Sequence, residues 1–273
     1  MLVLSLLYNR TTIHGTRRPF FDRKVVKEII TRAAGMSKRQ SGEQSVLGQC
    51  ERTKVSPFQR YDGGLAPISV AILAGGKSRR MGRDKALLDI GSQTLLEIVA
   101  MRVVSLTDDL FVVASNGHRY ADLGFRVVPD VVPDSGSLGG IYSALTSASC
   151  DQCLIVGCDM PFLNASLLTF MVNQPRDYDV LIPVLAGGRS DQGHDKTYET
   201  LHAIYSRSVL PVIERLLAAR QLKIADLFPM LRVRELDEPT VRRFDSDLSS
   251  FFNANSPEDF AFVERAIALG DSR

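Results

Sequence analysis

Four runs constrain this chain more than anything else in it: Ile68–Leu73, Asp109–Ala114, Phe125–Val128 and Cys153–Gly157. They are rich in Val, Ile, Leu and Phe and lack the polar–apolar alternation of a strand with one wet face, so each reads as a strand covered on both sides. Helical patterns lie between them. Thr94–Leu106 places apolar residues at 95, 96, 98, 99, 103 and 106, with Thr94 or Ser92 as its cap. Leu138–Ala148 is a small-residue helix, and Asn164 caps another that runs to Val172. Strands and helices in alternation predict an α/β fold of three α/β/α layers around a mostly parallel sheet.

Such a sheet binds ligands at the carboxyl ends of its strands. Four strand-ends carry small or polar residues: Gly75-Gly76, Asn116, Asp130 and Asp159. After the first, Lys77, Arg79, Arg80, Arg83 and Lys85 bring five cations together, opposed only by Asp84. A strand, a glycine turn and a basic loop suit a phosphorylated ligand, because backbone N–H groups and cations both face its oxygens. The alternative is an ordinary surface turn with solvated charges. A carboxylate such as Asp159 on the same edge would repel that ligand unless a cation stood between them. Mg²⁺ does so, using one or two carboxylates and the phosphates themselves. The competing role for Asp159 is a cap for the segment that starts at Pro161. Arg80 and Lys85 are the candidates for neutralising phosphate charge in a transition state. Ser135–Gly140 opens the following helix with small residues, suited either to a nucleobase or phosphate or to close helix–sheet packing.

Charge is unevenly distributed. Residues 1–66 hold 12 Lys/Arg and 5 Asp/Glu, leaving 21 against 26 in residues 67–273. The globular part is mildly acidic, which argues against a nucleic-acid surface. Residues 1–66 read as a basic, disordered N-terminal extension preceding a single α/β domain over 67–273, and a misplaced start site is the favoured explanation. No apolar stretch approaches the ~20 residues of a membrane span. Cys50, Cys150, Cys153 and Cys158 make no disulfide framework and read as reduced structural cysteines, consistent with a cytoplasmic chain. His118, His194 and His202 lack metal-ligand spacing and read as surface residues or as supports behind a site.

The C-terminal third has weaker signals. Asp179–Val184 and Leu201–Tyr205 read as strands, with Ala186–Thr200 a long polar loop between them. Ser208–Arg220 and Ile224–Leu231 read as helices, Val233–Leu236 as a strand, and Ser256-Pro257-Glu258-Asp259 as the start of a last helix.

Taken together, Leu73-Ala74-Gly75-Gly76, Ser78, Arg80-Met81-Gly82 and Asp84-Lys85 closely resemble the signature of the molybdenum cofactor guanylyltransferases. The likeness continues in Ser137–Ile141, Cys158–Leu163 and Phe252–Asp259. It implies a Rossmann-like nucleotide-binding fold and transfer of GMP from GTP to the phosphate of molybdenum-molybdopterin, with release of pyrophosphate. By the same likeness Leu73, Ala74 and Gly75 contact the guanine nucleotide, Lys85 a phosphate, Asn116 and Asp130 the nucleotide, and Asp159 both nucleotide and Mg²⁺. Asn253–Asn255 would lie towards the pterin. Molybdenum-cofactor insertion proteins or molybdoenzymes are the further partners it implies. CTP-using relatives usually show a Thr-Ala-Ala-Gly-like turn in place of Leu73–Gly76. Two departures stand out: Ser137 where proline is frequent, and Glu199-Thr200-Leu201 where Gln-Pro-Leu is common. The alternatives are a nucleotidyltransferase using CTP or another phosphorylated acceptor, and a non-catalytic nucleotide-binding partner in cofactor delivery.

Overall fold

The computed structural model describes residues 67–74, 84–187 and 196–269. Gly75, Arg80 and the rest of the basic loop up to Arg83, the segment 1–66 and His194 lie outside them.

The chain enters through β1 (Ser69–Leu73) and passes a short 3₁₀ turn, Lys85–Leu87, into the small hairpin β2 (Asp89–Ile90) and β3 (Gln93–Thr94). Helix α1 (Leu95–Val103) starts at a capping box: the Thr94 hydroxyl accepts from the Glu97 N–H, and the Glu97 carboxylate accepts from the Thr94 N–H at 2.7 Å. This settles the cap on Thr94, a device worth about 1 kcal/mol. Then come β4 (Asp109–Ala114), a 3₁₀ segment over Gly117–Leu123, β5 (Arg126–Pro129), α2 (Gly136–Ser147), β6 (Gln152–Gly157) and α3 (Ala165–Val172). The remainder comprises β7 (Val180–Ala186), β8 (Lys196–Tyr198), β9 (His202–Ser206), α4 (Leu210–Ala218), β10 (Val233–Asp237), α5 (Glu238–Arg242) and α6 (Pro257–Ala268).

Seven strands lie in the order β10-β7-β9-β6-β1-β4-β5, with β8 paired to β7. The pairs β1/β4, β1/β6, β4/β5 and β7/β10 are parallel, while β9 runs antiparallel to both β6 and β7. β1 is the pivot, because the chain builds outward from it to β4 and β5, then crosses back to β6. The gap between the ends of β1 and β6 is therefore the topological switch point, where an open α/β sheet binds ligands.

Successive β1 side chains serve opposite cores. Val70 and Ile72 pack with α1 and α3; Ala71 and Leu73 pack with α2 and α4. A third cluster joins α6 to the hairpin through Ile90, Leu95, Ala254 and Val263. The sheet is thus mostly parallel with helices on both faces, as the apolar runs predict.

Three details differ from the sequence reading. Part of the polar loop 186–200 is ordered as β8, which adds to the edge of β7. α5 had no sequence signal beyond Asp237, whose side chain caps it by accepting from Thr240 N–H. His202 is not at the surface: it is fully buried on β9, its ring tilted against Phe251 with centroids 4.8 Å apart.

Candidate active site

The ends of β1, β4 and β5 and the first turn of α2 enclose a pocket lined by Leu73, Ala114, Ser115, Asp130, Ser137 and Gly140, among others. Its shape depends on two glycines. A side chain at Gly140 would stand 3.0 Å from Leu73 Cδ1, and one at Gly139 would meet the Val132 carbonyl oxygen at 2.8 Å. Gly140 lets α2 approach the sheet and Gly139 lets it fold against the loop that follows β5, so Ser135–Gly140 serves close packing and also lines the pocket. The N-terminal end of α2 faces this space and carries the positive end of the helix dipole.

Asp130 closes one wall. Its Oδ1 accepts from the Val132 N–H at 3.2 Å and from the buried Ser143 hydroxyl at 3.1 Å. These bonds fix the carboxylate at the end of β5. Ser143 had no sequence signal, since a serine within a helix normally faces solvent or its own backbone. Asn116 lies on the exposed turn after β4, beside Ser115.

Lys85 lies near enough to Asp159 for its charge to act on the carboxylate, and both stand at the switch point. Asp159 follows β6 by two residues and folds back over it, so that a Cβ on Gly157 would lie 2.6 Å from Asp159 Oδ1. Burial raises the pKa of Asp159, while a hydrogen bond from its own backbone N–H and the positive charge of Lys85 pull it down. Lys85 Nζ donates to Asn255 Oδ1 at 2.7 Å. The Asn255 segment is bound to the same strand-end, because Ala254 N–H donates to the Asp159 carbonyl at 2.8 Å. Cys158, between them, is shifted far upward by burial and then by Asp159 and Asp84, so it stays a thiol.

Of the residues singled out in the sequence, Leu73, Ala74, Lys85, Asp130 and Asp159 share this edge, with Asn116 at its rim. Gly75 and Arg80 are outside the described residues. Asn255 sits against Lys85 itself and not only on a separate acceptor side. Among the described residues no three His, Cys, Asp or Glu side chains gather into a metal cluster.

A sheet of this order, with a helix-mouthed pocket beside the switch point and Lys85 and Asp159 at it, defines a nucleotide-handling α/β enzyme. Residues 70–231 match the MobA-like NTP transferase domain family. A probable molybdenum cofactor guanylyltransferase of Pelotomaculum thermopropionicum is 38% identical over 205 residues, covering 74% of this chain and 93% of the relative. The molybdenum cofactor guanylyltransferase of Desulfosudis oleivorans is 35% identical, covering 74% and 97%. Among solved structures, molybdopterin-guanine dinucleotide biosynthesis protein A of Archaeoglobus fulgidus superposes with a TM-score of 0.61 at 26% identity, covering 74% of this chain and all of that one. The chain belongs to the MobA-like NTP transferase family and, within it, to the molybdenum cofactor guanylyltransferases; it is a nucleotidyltransferase.

Proposed function

We propose that this enzyme transfers GMP from GTP to the phosphate of molybdenum-molybdopterin and releases pyrophosphate. The observation that carries the reading is the division of the switch point. A pocket walled by Leu73, Asp130 and Gly140 suits the base and sugar, and Lys85 and Asp159 stand beyond it where the phosphates would lie. The names of the relatives supply the acceptor.

In this scheme the pterin phosphate attacks the α-phosphorus of GTP in line, and the bond to the pyrophosphate oxygen breaks. The attacking phosphate is already ionised, so no protein base is required. Lys85 exchanges Asn255 for a phosphate oxygen and compensates charge as it shifts to the leaving group. Arg80 is assigned the same work, and Ala74 and Gly75 are assigned to the nucleotide. Asn116 is assigned to the nucleotide at the pocket rim.

Asp159 is the residue proposed to hold Mg²⁺. A carboxylate beside the phosphate path supplies the hard oxygen donors that ion prefers, and phosphates and water would supply the rest. When bound, the ion would polarise the α-phosphoryl group and neutralise pyrophosphate. Its burial fits too, since an ionised Asp159 gains most when a cation offsets its desolvation. No helix among the described residues is long and apolar enough to cross a membrane. Free Cys150, Cys153 and Cys158 suit the reducing cytoplasm, where we place the reaction.

The test is incubation with Mg²⁺, molybdenum-loaded molybdopterin and each nucleoside triphosphate in turn, following pyrophosphate. The reading expects turnover with GTP. A preference for CTP would overturn the base assignment, and no turnover with any triphosphate would favour a nucleotide-binding delivery partner.

A further inference from the structure

We propose that Tyr120 is a positioning residue for Lys85, acting by tying together the two residues that flank the basic loop. The inference rests on the phosphate-binding role of Lys85 given above. Ala74 immediately precedes residues 75–83 in the chain, and Asp84 immediately follows them. The Tyr120 hydroxyl reaches both: it lies 2.7 Å from Asp84 Oδ2 and 3.3 Å from the Ala74 carbonyl oxygen. Its single proton goes to the shorter contact, leaving Ala74 as the secondary acceptor. One side chain, from the 3₁₀ segment after β4, therefore holds Asp84 and keeps its hydroxyl against the Ala74 carbonyl.

Asp84 passes that restraint on. Its Oδ1 accepts from the Ala86 N–H at 3.3 Å and caps the Lys85–Leu87 turn, whose first residue is Lys85. Arg119 Nη1 stands 3.7 Å from Asp84 Oδ2 but is largely exposed, which makes it the weaker of the two holds. The Tyr120 ring is 1% exposed and packs in the core that contains Ala74 and Ala86. Burial and then the neighbouring Asp84 drive its ionisation far above the ordinary phenol range, so the hydroxyl is a donor at every working pH. A buried tyrosine needs one partner for its hydroxyl. A purely structural role would be met by any acceptor, whereas here the two acceptors bracket the loop and one of them caps the turn that carries Lys85.

Tyr120→Phe keeps the ring and removes only the hydroxyl. The expected result is a loss of about tenfold in kcat/KM for GTP, corresponding to one misplaced charge-assisted contact. In a Lys85→Ala background the same change should cost nothing more, because Tyr120 acts through Lys85. Asp84→Ala severs the contact from the other side and removes the cap as well, so it should cost at least as much, and adding Tyr120→Phe to it should cost nothing more. Unchanged kcat/KM in Tyr120→Phe, or losses that multiply in either double variant, would overturn the proposal. If Lys85→Ala itself turns over GTP normally, the role of Lys85 falls and this inference falls with it. That outcome is distinct from a defect of Lys85→Ala that Tyr120→Phe fails to share.

Discussion

Lys85 Nζ donates to Asn255 Oδ1 at 2.7 Å, joining residues 170 positions apart in the chain. The Asn255 end is firmly placed: its N–H donates to Asp259 Oδ2 at 2.8 Å, inside the capping box that starts α6. The C-terminal helix thus holds the acceptor that meets the candidate phosphate-binding lysine. This lies beyond residue 231, where the match to the NTP transferase family ends.

Replacing the lysine should remove a charge-assisted contact, so Lys85→Ala should cost roughly 1.5–3 kcal/mol in kcat/KM for GTP. Asn255→Ala should cost less, about 0.5–1.5 kcal/mol, because it loosens the ammonium without removing it. Asn255→Asp should be worse than Asn255→Ala, since a fixed anion competes with phosphate for the same ammonium. Steady-state kinetics of the three variants give the order, and an Asn255→Asp enzyme as active as Asn255→Ala would show that the contact is incidental.

The two glycines at the start of α2 should separate stability from binding. At Gly139 an added methyl meets the Val132 backbone oxygen at 2.8 Å and Ser135 Cβ at 2.9 Å, neither of which yields cheaply. Gly139→Ala should therefore destabilise the fold by about 1–3 kcal/mol in urea unfolding. At Gly140 the neighbour is the end of the Leu73 side chain at 3.0 Å. Leu73 can give way, but it does so by moving where it lines the pocket. Gly140→Ala should unfold close to wild type and bind GTP more weakly, as read by isothermal titration.

His202 predicts a pH dependence of stability. Burial lowers its pKa to about 4, against a smaller opposing pull from Asp245. Among the described residues neither buried ring nitrogen has a hydrogen-bond partner, which fits a neutral ring. A histidine depressed in the fold leaves stability intact above its unfolded pKa, near 6.5. As pH falls from there through about 4, the unfolded chain takes up the proton first and stability is lost, by ~3 kcal/mol in all. His202→Phe should flatten that slope in unfolding measured from pH 7 to pH 4, whereas parallel slopes would locate the titration elsewhere.

Much of this was legible before any coordinates. Strands buried on both faces have no alternative to an apolar run, so β1, β4 and β6 declared themselves, as did the polar residues at their ends. β9 reads like them, with residues 202–205 all buried, yet runs antiparallel; burial fixes the pattern and leaves strand direction open. β8 is polar because it is an edge strand held through β7, with Lys196 and Tyr198 both bonded to Glu235, so it resembles a loop. Tyr120 was invisible as a site residue because its partners, Ala74 and Asp84, are brought to it only by folding. Asp159 stood out because a carboxylate at the end of an apolar strand, facing a basic loop, calls for a cation between it and a phosphate.

In the proposed reaction the α-phosphoryl group of GTP passes to the pterin phosphate at Lys85 and Asp159. GTP labelled at either the α- or the γ-phosphate, supplied with molybdenum-loaded molybdopterin and Mg²⁺, tests this. The α-label should appear in the pterin dinucleotide and the γ-label in pyrophosphate. Asp159→Asn should slow both by about a hundredfold or more while melting no lower than wild type, since burial already disfavours the charged carboxylate. Label from the γ-phosphate in the pterin product, or α-label transfer undiminished in Asp159→Asn, would contradict it.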